Sequence, residues 1–433
     1  MKNRILVVNE GTVLKELDRD YFLLYDSTTK QHLIGNGQFA EIVRKCNGTR
    51  TIEDLVSEIA QEEKQPVNKI QPPLERTIKK LSDDRIVTSI QNPESRDIRD
   101  IKKLSLFPLN TIYWEVTSAC NFNCSHCYNT NSGPSNQQQN QLNPYKIIDE
   151  LADSGVIDIL LTGGEPFMRK NLFKMIQYAK SKHMDFAIFT NGSLINAEKA
   201  AILKELNPKF LAVSFDSYDE NTFEQIRGPH YRKVLKNLKI MIDYELPIRM
   251  NVVVFNGLNS SYSHIEDTIR FFKDIGIKDG NVSIDEFLPT GKGKDNLSFP
   301  AEPSEIMRNV EKAYERVYSS PFTVIQDKGD LNIDSYCGIG VSVCYLKNNG
   351  EVALCPVLSD DEFIAGSLAE SSLLNLWNHS DLFKQFRDHS LTSTECQRCD
   401  YLKQCAGGCK AKTKIFNNSF NSPDRWMCAY FGK

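Results

Sequence analysis

The amino-acid sequence predicts an α/β protein, because strand-like and helix-like segments alternate over residues 108–310. The strand candidates are 112–117, 157–161, 185–190, 210–215, 247–255 and 281–287. The amphipathic runs between them are Asn143–Ser154, Asn171–His183, Ala197–Leu206, Asn221–Tyr244 and Ser263–Ile275. Repeated strand–helix units predict parallel strands with right-handed crossovers, and in such sheets ligand groups gather at the carboxyl ends of the strands.

The first part of the chain, residues 1–92, is predicted to be a separate small unit, followed by a polar linker at 93–107. Its pattern predicts strands near 11–17, 20–25 and 30–34, helices near 37–46, 51–63 and 67–82, and a short strand at 86–88. Thr51 stands three residues before Asp54, which is typical of a helix start. Cys46 lies on the apolar face of the first helix, so we expect a buried thiol there.

Composition and charge are those of an intracellular enzyme. The 433 residues are enough for roughly two to four domains. The chain carries 52 basic and 56 acidic residues, a net charge of −4 that indicates neither a nucleic-acid nor an anionic-membrane partner. No apolar run approaches the ~20 residues of a membrane span, and the first residues lack the features of a signal peptide. Twelve cysteines without an export signal predict metal ligands rather than disulfides, and a cytoplasmic location.

The loop after the first strand of the alternating region carries Cys120, Cys124 and Cys127, with three and then two residues between them. Each iron of a four-iron cluster needs a ligand. Three thiolates from one loop would therefore leave one iron open for chemistry. A zinc site with His126 as its fourth ligand is the alternative interpretation.

A second motif, Gly163-Gly164-Glu165-Pro166, follows the second strand of this region. Glycines let a backbone approach a ligand closely, and a carboxylate can pair with an ammonium group. In this order and at strand ends, the cysteine loop and this turn resemble those of the radical S-adenosylmethionine (SAM) enzymes. The resemblance implies a partial (β/α)6 barrel. It also implies a 4Fe–4S cluster that binds SAM at its open iron, and a turn that holds the SAM amino group.

The same resemblance implies SAM contacts at the ends of the later strands. The residues at these positions are Thr190, Asn191, Ser214, Asp216, Arg227, Asn251 and Leu288. Ser214 and Asp216 would face the ribose and methionyl parts, and Arg227 would pair with the SAM carboxylate. Asn251 and Leu288 would approach the nucleoside. A polar group facing a ribose hydroxyl gives specificity, because a ligand without that hydroxyl leaves a buried group unpaired.

The C-terminal region, residues 311–433, contains eight further cysteines. They are Cys337, Cys344, Cys355, Cys396, Cys399, Cys405, Cys409 and Cys428. Their spacing resembles the SPASM domain, which carries two auxiliary 4Fe–4S clusters and so needs eight thiolates. The family's interleaved pairing would assign Cys337, Cys344, Cys355 and Cys409 to the nearer cluster, and Cys396, Cys399, Cys405 and Cys428 to the farther one. A pair of structural zinc sites is the alternative.

The N-terminal unit resembles the winged-helix-like domain that recognises precursors in enzymes that modify ribosomally made peptides. In those enzymes the leader of the precursor adds a strand to an exposed hairpin edge, which is ordinary β-augmentation. A generic winged-helix domain with a structural or regulatory role is the alternative.

Across nearly its whole length the chain is thus similar to radical SAM/SPASM peptide maturases. The resemblance implies that a 5′-deoxyadenosyl radical removes a hydrogen atom from a precursor peptide, which then forms a cross-link. The element Cys337–Gly340 and the turn at 289–293 favour a thioether slightly over a carbon–carbon bond. The electron donor would be a reduced flavodoxin or ferredoxin.

Two other functions remain open from the sequence. A formylglycine-forming sulfatase activator shares the barrel and the SPASM domain, but usually has an Asp where Pro356 follows Cys355, and lacks the N-terminal unit. A non-catalytic iron–sulfur electron carrier or peptide-binding scaffold is the second. A pure carrier would have no need of the Gly-Gly-Glu-Pro turn.

Overall fold

The computed structural model describes residues 4–18, 20–130, 142–295, 302–324, 338–388 and 394–433. The chain divides into two compact units, one built mainly from residues up to Pro108 and the other mainly from the residues that follow. Each unit is described by itself. Among the described residues, no helix combines the length and the apolar character needed to cross a membrane.

The N-terminal unit contains two small sheets and three helices in its described part. Its strands are β1 (Ile5–Val8), β2 (Thr12–Asp18), β3 (Tyr21–Asp26), β4 (His32–Gly35), β5 (Asn47–Thr51), β6 (Val87–Ile90) and β7 (Arg99–Ile101). Its helices are α1 (Gly37–Lys45), α2 (Ile52–Glu62) and α3 (Val67–Asp83). One sheet has the strand order β5-β1-β6 and the other has the order β4-β3-β2-β7.

The predicted strands and helices of this unit correspond to β2, β3, β4, β6 and the three helices. Three short strands were not predicted. β1 and β5 pair with each other in antiparallel register, and β7 forms inside the segment predicted as a linker, parallel to β2. β5 reads Asn-Gly-Thr-Arg-Thr and has no apolar alternation, so only its pairing partner makes it a strand.

The start of α2 is fixed by a capping box. The Thr51 hydroxyl accepts a hydrogen bond from the Asp54 backbone N–H at 3.1 Å, and an Asp54 carboxylate oxygen accepts one from the Thr51 N–H at 2.8 Å. Two backbone donors that the helix cannot satisfy are thus paired. Cys46 follows α1, belongs to the apolar core of this unit and is fully buried, as expected. Burial raises the pKa of its thiol to about 12.

The remaining strands form one larger sheet. They are β8 (Thr111–Thr117), β9 (Asp158–Gly163), β10 (Asp185–Thr190), β11 (Leu211–Ser214), β12 (Ile248–Val254), β13 (Val282–Glu286), β14 (Val343–Leu346), β15 (Glu351–Ala353) and β16 (Ile364–Ser367). Their order is β13-β12-β11-β10-β9-β8-β14-β15-β16. The six predicted strands are therefore confirmed as β8 to β13, which follow chain order across the sheet. The β8–β9, β10–β11, β11–β12 and β12–β13 pairs are parallel.

Helices connect these strands and complete the C-terminal region. They are α4 (Pro144–Asp153), α5 (Leu172–Ser181), α6 (Ala197–Leu206), α7 (Glu220–Arg227), α8 (Tyr231–Asp243), α9 (Tyr262–Asp274), α10 (Pro303–Tyr318), α11 (Leu373–His379), α12 (Asp381–Asp388), α13 (Thr394–Gln397), α14 (Leu402–Cys405), α15 (Lys410–Asn417) and α16 (Arg425–Tyr430). The run predicted at Asn221–Tyr244 is two helices. Gly228 breaks it with a φ of 89°, and Pro229 disfavours helical backbone at the residue before it.

The C-terminal region joins the parallel sheet through β14, which lies parallel to β8 with Tyr345 opposite Tyr113. β15 and β16 then continue the sheet in antiparallel fashion. The cysteine-rich region is thus hydrogen-bonded to the strand that precedes the Cys120–Cys127 loop. This pairing could not be read from residue pattern, because the two strands lie far apart in sequence.

Replacing Thr51 by Ala should loosen the start of α2. The lost cap should cost about 1 kcal/mol of local stability, because one backbone N–H loses its acceptor. Hydrogen–deuterium exchange of the first α2 amides should become faster. Ser57→Ala is the matched control, because that hydroxyl bonds a carbonyl within the helix instead of capping it. Equal exchange in the two variants would contradict the capping role.

Candidate functional site

The three cysteines of the first motif lie on the loop that leaves the carboxyl end of β8. Cys120 is buried, and Cys124 and Cys127 are half-buried. The pKa of the Cys120 thiol is raised to about 12, mainly by burial and in part by the nearby Cys124 and Cys127. The structure therefore brings the three thiols together. Metal coordination would ionise such thiols, since a coordinating thiol loses its proton.

The turn at 289–293 packs against this loop. The Lys292 backbone N–H donates to the Cys127 carbonyl at 2.8 Å, and the Lys292 ammonium donates to the Asn123 side-chain oxygen at 2.9 Å. A Cβ atom on Gly291 would lie 2.3 Å from the Tyr128 carbonyl oxygen. The glycine is needed here because the turn packs directly on the cysteine loop, a role that the sequence did not indicate.

The Gly-Gly-Glu-Pro turn packs against the backbone that leads into the loop. The Gly164 N–H donates to the Thr117 carbonyl at 2.7 Å, and the Glu165 N–H donates to the Ala119 carbonyl at 2.8 Å. A Cβ on Gly164 would lie 2.3 Å from the Ala119 oxygen, and Gly163 has a φ of 143°. The two glycines thus allow the β9 end to approach the backbone immediately before the first cysteine.

The Glu165 carboxylate is fully buried and is used by the chain itself. It accepts hydrogen bonds from the Thr190 hydroxyl at 2.8 Å, the Asn191 N–H at 2.8 Å and the Phe167 N–H at 3.3 Å. Burial raises its pKa to about 7, against the effect of these hydrogen bonds. Glu165, Thr190 and Asn191 therefore form one cluster that ties the end of β9 to the end of β10. Glu165 was expected to pair with an ammonium group; in this structure its carboxylate oxygens meet donors of the chain.

Asp216 and Arg227 pair with each other. The Arg227 Nε and Nη2 atoms donate to the two Asp216 oxygens at 2.6 and 3.1 Å, and the Val253 N–H donates to Asp216 at 2.9 Å. Both side chains are buried. Burial raises the pKa of the Cys124 thiol, and the positive charge of Arg227 lowers it. The ion pair therefore borders the cysteine loop. The sequence suggested separate ligand contacts for these two residues and did not indicate the ion pair.

Of the remaining predicted contacts, Ser214 ends β11, Asn251 lies in the middle of β12, and Leu288 follows the end of β13. Ser214 is in register with Asn251, and Asn251 is in register with Ser283. All three are half-buried, and register partners on parallel strands share a face. Leu288 follows β13 and is also half-buried. Ser283 extends the polar row and was missed, because a lone Ser within a strand gives no signal by itself.

Four of the C-terminal cysteines line a single cavity. They are Cys396, Cys399, Cys405 and Cys428. The pKa of Cys428 is raised to about 11, mainly by burial and in part by the other three thiols. These are the four cysteines that the resemblance assigned to the farther auxiliary cluster.

The other set is only partly described. Cys344 directly precedes Tyr345 on β14, and Tyr345 pairs with Ala353 on β15, two residues before Cys355. Both cysteines are buried at the open end of this hairpin. Cys337 lies outside the described residues.

Cys409 lines a different cavity, together with Ser283–Asp285 of β13. The Asp424 carboxylate accepts a hydrogen bond from the Cys409 N–H at 2.8 Å and also caps α16. The buried Lys412 ammonium bonds Asp285 at 2.5 Å and lies over the Trp426 ring. These charged residues position the C-terminal cysteines. The sequence did not reveal them, because the pairing partners are more than a hundred residues apart.

The donor set of the cysteine loop fits a cluster. Among the described residues, no three His, Cys, Asp or Glu side chains converge on one metal-ion position. A four-iron cluster does not need such convergence, because each thiolate binds a different iron. His126 packs edge-on against Phe255, and burial lowers its pKa to about 4. Three thiols on one loop are the ligands that three corners of a cluster require.

Comparison with known families agrees with this geometry. Residues 114–272 match the model of the radical SAM superfamily, and residues 337–400 match the SPASM model, an iron–sulfur cluster-binding domain. The chain is a radical SAM enzyme with a SPASM domain. The first match spans β8 to α9 and includes the three cysteines of the loop and the Gly-Gly-Glu-Pro turn. SAM and iron–sulfur clusters are therefore its cofactors.

Two curated relatives cover most of the chain. An AdoMet-dependent heme synthase of Methanosarcina barkeri is 26% identical over 328 residues, 70% of this chain and 91% of the relative. The mycofactocin maturase MftC of Mycolicibacterium smegmatis is 26% identical over 352 residues, 78% of this chain and 87% of the relative.

A solved structure matches over nearly the full length. Streptococcus suis SuiB, bound to its precursor peptide SuiA, superposes with a TM-score of 0.65 at 16% identity. The match covers 94% of this chain and 96% of SuiB. The likeness shows that the two proteins share a fold, including most of the N-terminal unit.

Replacing Gly164 by Ala should disturb the cysteine loop. The new methyl group would lie 2.3 Å from the Ala119 oxygen, so the turn or the loop must move, at a cost of about 1–3 kcal/mol. We expect less iron bound after anaerobic reconstitution and a SAM dissociation constant raised about tenfold. Gly37→Ala is the control, because no atom lies within 4 Å of its added Cβ. Unchanged iron and SAM binding in the Gly164 variant would refute this role.

Proposed function

We propose that this protein is a maturase that binds the leader of a ribosomally made precursor peptide and installs an intramolecular cross-link. The observation that carries the proposal is the presence, in one chain, of a radical SAM site and an N-terminal unit with an open sheet edge. SuiB, which was solved with a precursor peptide, shares the fold over 94% of this chain.

The open edge belongs to β4. Within the described residues, β4 pairs only with β3, since it is the terminal strand of the order β4-β3-β2-β7. An extended peptide can add to such an edge through backbone hydrogen bonds, and side-chain pockets then supply specificity. We assign the leader to this edge, in the manner of the precursor-recognition domain that the N-terminal unit resembles.

The catalytic site is assigned to the loop at the end of β8. Cys120, Cys124 and Cys127 would hold the SAM-binding cluster. When bound, that cluster would supply one electron to SAM. The Gly163–Pro166 turn holds this loop, and the Glu165 cluster fixes Thr190 and Asn191 at its edge. Ser214, Asp216, Arg227, Asn251 and Leu288 are the further proposed SAM contacts.

The C-terminal cysteines are assigned to two auxiliary clusters, which makes three clusters in total. The shared cavity supports Cys396, Cys399, Cys405 and Cys428 as one ligand set. Cys337, Cys344, Cys355 and Cys409 are proposed as the other. Full cysteine ligation leaves no open iron, so these clusters would carry electrons rather than bind substrate. The donor outside the protein would be a reduced flavodoxin or ferredoxin.

The cross-link is proposed to be a thioether in preference to a carbon–carbon bond. The preference rests on the resemblance of Cys337–Gly340 and the turn at 289–293 to sulfur-to-carbon maturases. In this structure the turn packs on the cysteine loop. This packing holds the site in place whichever of the two bonds is formed.

The heme synthase relative favours a second candidate function, chemistry on a heme-related tetrapyrrole. Its match covers 91% of the relative but 70% of this chain, so much of this chain has no counterpart in it. SuiB, in contrast, has a counterpart for nearly all of it. The peptide maturase is therefore the better supported function.

The test is an anaerobic reaction of reconstituted enzyme with reductant, SAM and a precursor peptide encoded beside the gene. We expect 5′-deoxyadenosine and a peptide lighter by two hydrogens, with fragmentation locating the bond. The same core peptide without its leader is the control and should react far more slowly. Formation of 5′-deoxyadenosine with no mass change for any neighbouring precursor, even in deuterated solvent, would reject the peptide function. Turnover of a tetrapyrrole would then support the second candidate.

A further inference from the structure

A polar cavity of about 460 Å³ lies beside the cysteine loop, within the usual size range of ligand pockets. Its wall includes Glu115 and Ser118 from the β8 end, and Tyr128 and Asn129, which follow Cys127 directly. The wall also includes Tyr345 of β14 and the charged residues Lys347, Asp360, Asp361 and Glu362. The cavity therefore adjoins the loop that would hold the SAM-binding cluster, and neither the family motifs nor the assigned SAM contacts account for it.

The strand register places Glu115 in this cavity. Tyr113 and Glu115 share one face of β8, because alternate residues of a strand point the same way. Tyr345 lies opposite Tyr113 on the parallel strand β14, so its side chain joins the same face. Glu115 is 4% exposed, a rare degree of burial for a carboxylate.

Three neutral donors hold the carboxylate in place, one of them the Asn348 backbone N–H. The Asn129 amide donates to one Glu115 oxygen at 2.9 Å, and the Tyr345 hydroxyl donates to the other at 3.0 Å. None of the ion pairs among the described residues involves Glu115. Lys347 lines the same cavity and its charge acts on Glu115, but its ammonium is bound to Glu351 at 2.6 Å. Glu115 is thus oriented without being neutralised.

The protonation of Glu115 is set by opposing effects. Burial raises its pKa above the ordinary value, and the hydrogen bonds from Asn129, Tyr345 and the Asn348 backbone, with the charge of Lys347, limit that rise. Tyr128 faces the same cavity, and burial keeps its hydroxyl protonated. A base works best when its pKa lies near the working pH, and a raised carboxylate pKa moves Glu115 toward that condition.

The other buried carboxylates near the site do not line this cavity. Asp216 is held by Arg227, and Glu286 is held by Arg425 at 2.9 Å. Glu165 is hydrogen-bonded within the ends of β9 and β10. Glu115 is the nine-tenths-buried carboxylate that lines this cavity among the described residues.

We propose that the cavity holds the reacting segment of the peptide and that Glu115 is the base that receives its proton. The inference rests on the proposed function. In this step the bond between hydrogen and the reacting atom, sulfur in the case of a thioether, breaks. The electron pair stays on that atom, and the proton moves to a Glu115 oxygen, which becomes a neutral carboxyl group. The proton then returns to water at the exposed rim, where Asp360, Asp361 and Glu362 lie.

The test compares Glu115→Gln with wild-type enzyme in the precursor reaction. The amide keeps the shape of the side chain but cannot accept the proton, so cross-link formation should fall about a hundredfold or more. Iron content, SAM binding and peptide-independent 5′-deoxyadenosine formation should stay at wild-type levels. Glu370→Gln is the control, since Glu370 is exposed and lies outside the cavity, and it should leave every readout unchanged.

Tyr345→Phe supplies a readout that a purely structural role would not move. Loss of the hydroxyl removes a hydrogen bond that lowers the pKa of Glu115, so that pKa rises further. Cross-linking requires the ionised base and increases with pH, so its acidic limb should shift to higher pH in this variant. If the Glu115→Gln variant forms the cross-link at the wild-type rate, the inference is overturned. A parallel loss of iron, SAM binding and product would overturn it as well. If wild-type enzyme forms 5′-deoxyadenosine but modifies no precursor, the proposed function fails and this inference falls with it.

Discussion

The site depends on one close approach between two backbones. The turn after β9 bonds to the chain at Thr117 and Ala119, immediately before the first cysteine, and only glycine at position 164 leaves room for it. A second turn, at Gly291, packs on the chain just after Cys127 in the same way. The cysteine loop is therefore held at both ends by glycine turns from other strands. The cysteines of this loop are positioned by backbone packing rather than by contacts of their own side chains.

A hydrogen-bonded layer surrounds this packing. Glu165 joins the ends of β9 and β10, and the Asp216–Arg227 pair connects β11 with the end of α7. Both groups are buried, and buried charges persist only when they are paired or hydrogen-bonded. The residues that the family pattern suggests as ligand contacts thus also hold the chain around the site in place. Removing one of them would alter both the pocket and the chain around it.

The strands of the alternating region and most of its helices were predictable, because apolar periodicity and turn residues report on local structure. The break at Gly228 was not predicted, since the amphipathic pattern continues across it. The short strands β1, β5 and β7 were also missed. Their few residues carry little pattern, and pairing with a partner supplies their stability. The cysteine loop and the Gly-Gly-Glu-Pro turn were identified because their spacing is itself the chemical requirement.

The sequence alone determined the fold class, the cofactor chemistry and the cysteines able to serve it. The fold class follows from the alternation of strand-like and helix-like segments. The cofactor chemistry and its cysteines follow from motifs that resemble those of the radical SAM and SPASM families. The tertiary structure decided which distant residues meet. It paired β14 with β8, brought Tyr345 to Glu115, and joined Asp216 to Arg227. Such contacts arise from strand register and packing between segments up to a few hundred residues apart, and no local pattern encodes them.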